Sequence, residues 1–429
     1  MMKNHLIWIL IYALVALSPA NAADFVLEIY GNANMDEYLN QDDLDYINDI
    51  VSGKIEPTKL ADANFDGKVD EEDIAQIQAI LEGREEKLTF IDMLGEPVTI
   101  NKPIRRLVNM GYNGVEMTRI LGAEDILVAY GQDRTEHAIF FPKFAELPFV
   151  GNDPNDCDYE MIVSLKPDAV QTNIERASFT VGGLDQKRIF ENNLKDIPLI
   201  SLNMREQDTL VKNVRTYGYI LDREQEAEEF IDWYSKYYDL FVKRTASLSD
   251  DERPRCVIEY TPYYCYASGS SLGQVLALAG GKNILDKKIG PDDPKYGSML
   301  DIEPEFVVRE DPEYIFKAVG SWDSGYQFDN SRALAAYKEQ VMNRTELANT
   351  AAVRGNDVYC MSFWILIGAG NNIIGTSYVA KLLHPDLFED IDPSAIHQEY
   401  VDRFCRIDFD VKEQGAFLYP PYNRWPVGA

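Results

Sequence analysis

Histidine is scarce in this chain of 429 residues: there are four, His5, His137, His384 and His397, and no pair falls at a helical metal-binding spacing. That scarcity argues against a histidine-built acid–base or metal centre, and each reads as a surface or packed residue. Cysteine is nearly as sparse. Five are scattered at positions 157, 256, 265, 360 and 405 without a Cys-x-x-Cys pair, which speaks against zinc and redox motifs and leaves at least one unpaired. In a chain with room for a large core they are expected to be buried small apolar residues. Basic residues are outnumbered, 41 Lys and Arg against 71 Asp and Glu, for a net charge of −30. Such a surface repels phosphate, so nucleic acid is not an expected partner. The glycine-rich stretches do not spell a phosphate-binding P-loop. No segment supplies the roughly 18 uninterrupted apolar residues of a membrane span.

The first 22 residues read as a secretory signal peptide. Lys3 precedes an apolar run from Leu6 to Leu17, and Ala20 and Ala22 form a small-residue cleavage site. The product is therefore expected to be secreted, extracytoplasmic or held at the cell surface.

Residues 62 to 73 place oxygen side chains at the spacing of a calcium loop: Asp62, Asn64, Asp66, Asp70 and Asp73, with Lys68 offering its backbone carbonyl and Gly67 at the sharp turn. Calcium needs six or more hard oxygen ligands, and only glycine turns there without steric cost. The register recurs thirty residues earlier in Asn32, Asn34, Asp36, Asn40 and Asp43, where Asn32 replaces the leading Asp and Glu37 the glycine, so this copy is expected to bind more weakly. Apolar positions repeat as well, Ile47 with Ile77 and Ile50 with Ile80. Asp at the twelfth position and one helix after each loop resemble the type I dockerin, a secreted calcium-dependent docking module. The resemblance implies structural calcium and a cohesin-type partner for a small all-α unit over residues 24–84. The charged joint Gly83 to Lys87 is expected to act as a brief hinge.

Beyond it, strand and helix patterns alternate, which implies parallel sheets. Residues 88–221 read as one α/β lobe, opening with a hairpin over 88–100, a strand at 106–110, a loop at 111–114 and a helix ending near Leu121. Residues 222–248 read as one long helix with Ala227, Phe230, Ile231, Tyr234, Tyr238, Phe241 and Val242 at helical spacing, capped by Asp222 and Gln225. Residues 253–425 read as a second α/β lobe. Glu160 and Glu305 each stand seven residues before a proline, Pro167 and Pro312, followed by an acid and a strand.

Duplicate lobes, a spine helix and this matched pair resemble the solute-binding proteins of ABC importers for iron-siderophores and cobalamin, over roughly residues 88 to 425. The fold class is α/β: two Rossmann-like lobes joined by one long helix, preceded by the dockerin-like module. The resemblance implies a carrier with no catalytic residues or catalytic cofactor, delivering a metal chelate to a membrane permease, with Glu160 and Glu305 docking on the permease. A ferric siderophore is the first expectation and a corrinoid the second. In open α/β sheets ligands bind at the carboxyl ends of strands, where Tyr112, Tyr260, Tyr263, Tyr264, Trp322, Phe363 and Trp364 cluster. Tyr112, Tyr263, Tyr264, Trp322 and Trp364 are the candidate contacts, with Arg134 and Arg176 to counter the chelate's charge. A surface scaffold without a transport role and, more remotely, a secreted hydrolase are the alternatives.

Overall fold

The computed structural model describes residues 25–132, 139–174 and 183–421. The leader lies outside the described residues.

Two short helices come first, α1 (Gln41–Val51) and α2 (Glu71–Leu81). Asn40 and Asp70 cap them, and Asp43 and Asp73 return a carboxylate to the cap backbone, so each helix begins with a reciprocal capping box. The preceding loops are superimposable in their bonding. Asn34 N–H reaches Asp43 Oδ1 and Asn64 N–H reaches Asp73 Oδ1, both at 3.1 Å, and Met35 and Phe65 both take φ 59°. Ile47, Ile50, Ile77 and Ile80 are buried between the two helices.

A hairpin, β1 (Lys87–Ile91) and β2 (Pro97–Asn101), forms its own two-stranded sheet. Residues just before the first loop extend it: Tyr30 N–H donates to Thr89 O at 2.9 Å, and Ile91 N–H to Glu28 O at 2.8 Å. The N-terminal unit is thus not purely helical and does not swing on a hinge. Glu85, in the expected hinge, is buried and ion-paired with Lys102 at 3.3 Å, and Lys102 also holds Asp222 at 2.6 Å. The charges there mark a buried network rather than a solvated tether.

The first lobe contains β3 (Leu107–Asn109), α3 (Tyr112–Ile120), β4 (Leu127–Tyr130), α4 (Tyr159–Ser164), β5 (Ala169–Thr172), α5 (Gly183–Asn193), β6 (Leu199–Ser201) and α6 (Gln207–Leu221). Its four strands are all parallel in the order β4-β3-β5-β6. The expected loop at 111–114 is instead the first turn of α3, whose cap, Gly111, has no side chain to announce it. Asp222 ends α6 in the left-handed conformation, φ 56°, and the spine helix α7 (Glu224–Thr245) follows from Arg223. The expected Asp222–Gln225 cap does not form, because Asp222 is committed to Lys102. Ala227, Phe230, Ile231, Tyr234 and Phe241 line the buried face of α7 as the spacing predicts, joined by Trp233 and Tyr237.

The second lobe contains β7 (Arg255–Thr261), β8 (Tyr264–Tyr266), α8 (Ser271–Leu278), β9 (Lys282–Asn283), β10 (Met299–Asp301), α9 (Pro304–Glu310), β11 (Tyr314–Val319), α10 (Arg332–Met342), α11 (Ala351–Gly355), β12 (Val358–Ser362), α12 (Asn372–Leu383), α13 (Pro393–Tyr400) and β13 (Leu418–Tyr419). Its sheet runs β10-β8-β7-β11-β12-β13, with β9 beside β7. The centre, β7-β11-β12, is parallel, while β8, β10 and β13 pair antiparallel, so this sheet is mixed.

The N-terminal unit is clamped to α6 chiefly by Arg215. Its guanidinium is buried, grips Glu228 through Nε at 2.5 Å and Nη2 at 2.9 Å, donates to Glu37 O at 3.2 Å and lies over the Tyr38 ring at 4.3 Å. Tyr219 adds a hydroxyl bond to Leu39 O at 2.9 Å. Glu228 is 41% exposed, so solvent screens part of this pair, and removing Arg215 costs about 2 kcal/mol, less than for a fully buried pair. Arg215→Ala is therefore expected to lower the stability of the whole chain by about that amount in urea denaturation and to open residues 25–86 to protease; a loss below about 1 kcal/mol with unchanged protease resistance would show that this clamp does not hold the unit.

Candidate functional site

The carboxyl ends of both sheets converge on one seam. From the first lobe come Gly111 and Tyr112 after β3, Gln132 after β4, Asn173 after β5 and Arg205 after β6. Tyr112 N–H donates to Gln132 Oε1 at 3.2 Å. Gly111 is required there, since a Cβ would fall 2.2 Å from Asn173 Nδ2. From the second lobe come Tyr260 and Tyr263 at the end of β7, Trp322 after β11, and Phe363 and Trp364 after β12.

Tyr112 and Trp364 meet edge to face across the seam with centroids 5.5 Å apart. Phe140, from the first lobe, packs against Trp364 at 4.4 Å and stacks on Tyr326 at 4.3 Å. The Arg119 guanidinium covers Phe140 and Phe141 at 4.2 and 4.4 Å. Beneath the rings, Glu116 Oε1 accepts hydrogen bonds from Asn371 Nδ2 at 3.2 Å and from the Tyr400 hydroxyl. Burial pushes the Glu116 carboxyl above its ordinary range, while the Tyr400 donor and the Arg119 charge oppose it. At the far end of α3, Arg406 donates to Arg119 O at 2.7 Å and to Ile120 O at 3.2 Å, satisfying terminal carbonyls that have no partner within the helix. His397 bonds Tyr326 through Nε2 at 2.8 Å. Burial holds its imidazole down to about 3, so it is neutral at physiological pH and acts as a packed residue.

The sequence profile of the periplasmic binding protein family matches residues 109–363, more than half of the chain. The chain belongs to this family. It is 20% identical over 350 residues to the molybdate-binding protein MolA of Haemophilus influenzae, covering 74% of this chain and 91% of that one. It is 21% identical over 310 residues to the ABC transporter substrate-binding lipoprotein YvrC of Bacillus subtilis, covering 71% and 87%. Among solved structures, MolA bound to molybdate overlays with a TM-score of 0.61 at 18% identity, covering 75% of this chain and 98% of that one. The TroA-like binding protein FepB of Veillonella parvula gives 0.60 at 19%, covering 77% and 98%. The family match begins after the N-terminal unit, which therefore stands outside it.

Within this binding protein the sequence-derived contacts are dispersed. Tyr112 and Trp364 are brought together but buried, whereas Trp322 is 52% exposed. Tyr263 sits in the β7–β8 turn at φ 62°, its hydroxyl donating to the Glu346 carboxylate and its ring 5.1 Å from the Arg344 guanidinium. Tyr264 lies in β8 opposite Asp301. Arg134 and Arg176 lie outside the described residues. Glu160 and Glu305 are exposed in the first turns of α4 and α9, one on each lobe. Sequence reasoning missed Glu116, Arg119, Phe140, Tyr326 and Tyr400. The adjacent Phe140-Phe141 pair before Pro142 is the one signal that could have flagged the seam. Among the described residues no helix is long and apolar enough to cross a membrane.

The two loops of the N-terminal unit have diverged in use. Loop 62–73 faces outward, with Asp62, Asn64, Asp66 and Asp73 oxygens accepting N–H groups of residues 64 to 70. Asp73 is fully buried, and burial followed by the Asp62 charge raises its carboxyl. Loop 32–43 faces α6. Asn32 Nδ2 donates to Leu27 O and Asp36 O at 2.8 and 2.7 Å, and Asn34 Nδ2 to Asp36 Oδ2 at 2.8 Å, so amides supply the donors that tie this loop together. Asp43 is raised to about 6, mainly by burial. Among the described residues no three His, Cys, Asp or Glu side chains are gathered as a metal site, and in both loops the carboxylates take N–H partners instead.

Proposed function

We propose that this periplasmic binding protein is the extracytoplasmic solute-binding component of an ABC importer and that its cleft carries a metal chelate, a ferric siderophore in preference to a corrinoid. The reading rests on one observation above others: the carboxyl ends of two α/β sheets meet at an aromatic seam with an exposed tryptophan, and no metal-ligating set is gathered among the described residues. Such a surface suits a bulky ligand that brings its own metal ligands, held by flat contacts rather than engulfed. Relatives differ in cargo, molybdate for MolA and heme for the periplasmic heme-binding protein RhuT of Roseiflexus, so the family match supports the carrier role and leaves the chelate to this chain's own rings. Tyr112, Tyr263, Tyr264, Trp322 and Trp364 are the proposed contacts, and Arg134 or Arg176 the proposed countercharge. The protein acts by binding and delivery, not by catalysis.

Glu160 and Glu305 dock on paired basic sites of the permease. Two rim charges fix orientation and speed encounter more than they add affinity. Replacing both with Ala is expected to abolish uptake in a reconstituted importer while tryptophan quenching by the ferric chelate is unchanged. Equal loss of binding and uptake, or undiminished uptake, would contradict the docking role, and absence of quenching by ferric hydroxamates, catecholates, citrate, heme and cobalamin alike would contradict the chelate.

The N-terminal unit is proposed to be a dockerin-like module attaching the protein to a cohesin-type partner. Its duplicated loop register supports this, and loop 62–73, with Asp62, Asp66 and Asp70 at least partly exposed and Asp73 buried behind them, is the calcium-binding copy. Calcium there would exchange N–H contacts of Asp62, Asn64, Asp66, Asp70 and Asp73, and the Lys68 carbonyl, for metal–oxygen bonds. Asn32, Asn34, Asp36, Asn40 and Asp43 are the weaker set, since amide donors already close that loop. Calorimetry on the full chain is expected to show calcium binding that Asp62→Ala removes and Asp36→Ala leaves largely intact; no heat in the unaltered chain would contradict the calcium assignment.

A further inference from the structure

In a chain with 71 acidic residues, Lys317 stands out because it is 94% buried by its 6% exposure and makes no hydrogen bond or ion pair among the described residues. It lies on β11 directly opposite Glu259 of β7 in the sheet register. That carboxylate is already taken. Arg344 holds it with two bonds, Nη1 at 2.6 Å and Nη2 at 2.8 Å. The Lys317 ammonium instead lies over the rings of Tyr260, at 5.9 Å, and Tyr337, at 5.6 Å. Glu259 is thus one carboxylate set against two cations, Arg344 and Lys317, and the two ring faces recover only part of the cost of burying the excess positive charge.

The residues around it reach solvent near the carboxyl edge of the sheet, where Trp322 is exposed. Tyr260 stacks on Phe363 at 5.3 Å, and both are half-buried. Trp322 is hydrogen-bonded to Tyr337, whose hydroxyl donates to Asp323 at 2.7 Å. Trp322 also lies against Gly320, where a Cβ would come within 2.3 Å of its ring. An exposed indole is thus held in a fixed pose beside a buried cation.

We infer that Lys317, under Tyr260 and Tyr337 with Phe363 and Trp322 packed on those two rings, is an anion-binding subsite of the cleft that takes a negatively charged oxygen group, carboxylate or catecholate, of a metal chelate. This rests on the chelate reading above. The anion balances the excess positive charge of Lys317 and Arg344 around the single Glu259 carboxylate, while the rings pack on the aromatic or apolar part of the ligand.

The test uses the full chain and two probes, the anionic iron(III) tris-catecholate complex and a neutral ferric trihydroxamate, with affinities read from tryptophan fluorescence. Lys317→Met and Lys317→Gln are expected to weaken the anionic chelate about tenfold or more and the neutral one by less than about twofold. Melting temperature is expected to hold or rise, because an unpaired buried ammonium has been removed. Gly320→Ala, which displaces Trp322, is expected to weaken both chelates. Unchanged affinity of the Lys317 variants for the anionic chelate overturns the subsite and leaves the cleft reading standing. Equal loss of both chelates with a fall in melting temperature also overturns it, since Lys317 would then be structural. If the unaltered chain takes neither chelate, the cleft reading fails and the subsite with it.

Discussion

Helix α3 is nine residues long and buried at every one of them, and both lobes are built against it. Its polar side chains have no solvent to turn to: Thr118 is satisfied within the first lobe by Gly114 O and Tyr217, Arg119 by Phe140 O, and Glu116 across the lobe boundary. Glu116 does so with Asn371 and Tyr400, and the terminal carbonyls of the helix do so with Arg406. The first lobe thereby reaches into the C-terminal helices at two points in addition to the spine α7. Opening the seam would strip the buried Glu116 carboxyl of its Asn371 and Tyr400 donors and the Ile120 carbonyl of Arg406, a penalty of several kcal/mol, while Arg119 O would keep only the Gly122 N–H. That constraint makes the cleft a nearly preset surface. It also explains why Tyr112 and Trp364 touch one another while Trp322 stands ready at the rim.

The N-terminal unit follows a parallel logic. A duplicated loop–helix motif needs only one copy for an outward task, and here the other is turned against α6. Asn32 in place of Asp and Glu37 in place of Gly look like losses when judged as calcium ligands. In the structure they are gains for docking: the Asn32 amide closes the loop, and the Glu37 carboxylate stands 3.9 Å from the Arg215 guanidinium. The unit, the hairpin β1–β2 and α6 accordingly share one apolar core with the first lobe. A partner bound to the unit would hold the whole binding protein at a fixed orientation.

Much of the architecture was legible because it is written in periodicity. The β11 strand falls where the run from Tyr314 to Val319 predicts it, and the spine helix buries five of the seven residues its spacing selects, Tyr238 and Val242 being half-buried. Glu160 and Glu305 were legible because the same spacing to proline recurs in two lobes, and both are exposed as expected. Four of the five cysteines are buried and all are free, as the lack of a paired spacing suggested. What periodicity cannot show is a helix buried on all sides by polar contacts. The run from Tyr112 to Ile120 mixes Asn, Glu, Thr and Arg with apolar residues and has no apolar stripe, so its place in the seam was invisible. The hinge at Gly83 to Lys87 failed for a related reason: a buried ion pair and a solvated linker share a composition. Lys317 was missed because a single charge inside an apolar strand reads as noise until the pairing of Glu259 with Arg344 is seen.

The central claim, that the buried α3 seam holds the lobes at a nearly fixed separation, is tested most directly by a distance between them. Spin labels placed through Glu160→Cys and Glu305→Cys, with the half-buried Cys157 replaced by Ser, report that separation by pulsed dipolar spectroscopy with and without a bound ferric chelate. The account predicts a shift of less than about 2 Å, with a narrow distribution in both states. A hinge-like closure of about 5 Å or more on binding, or a broad distribution without ligand, would contradict it.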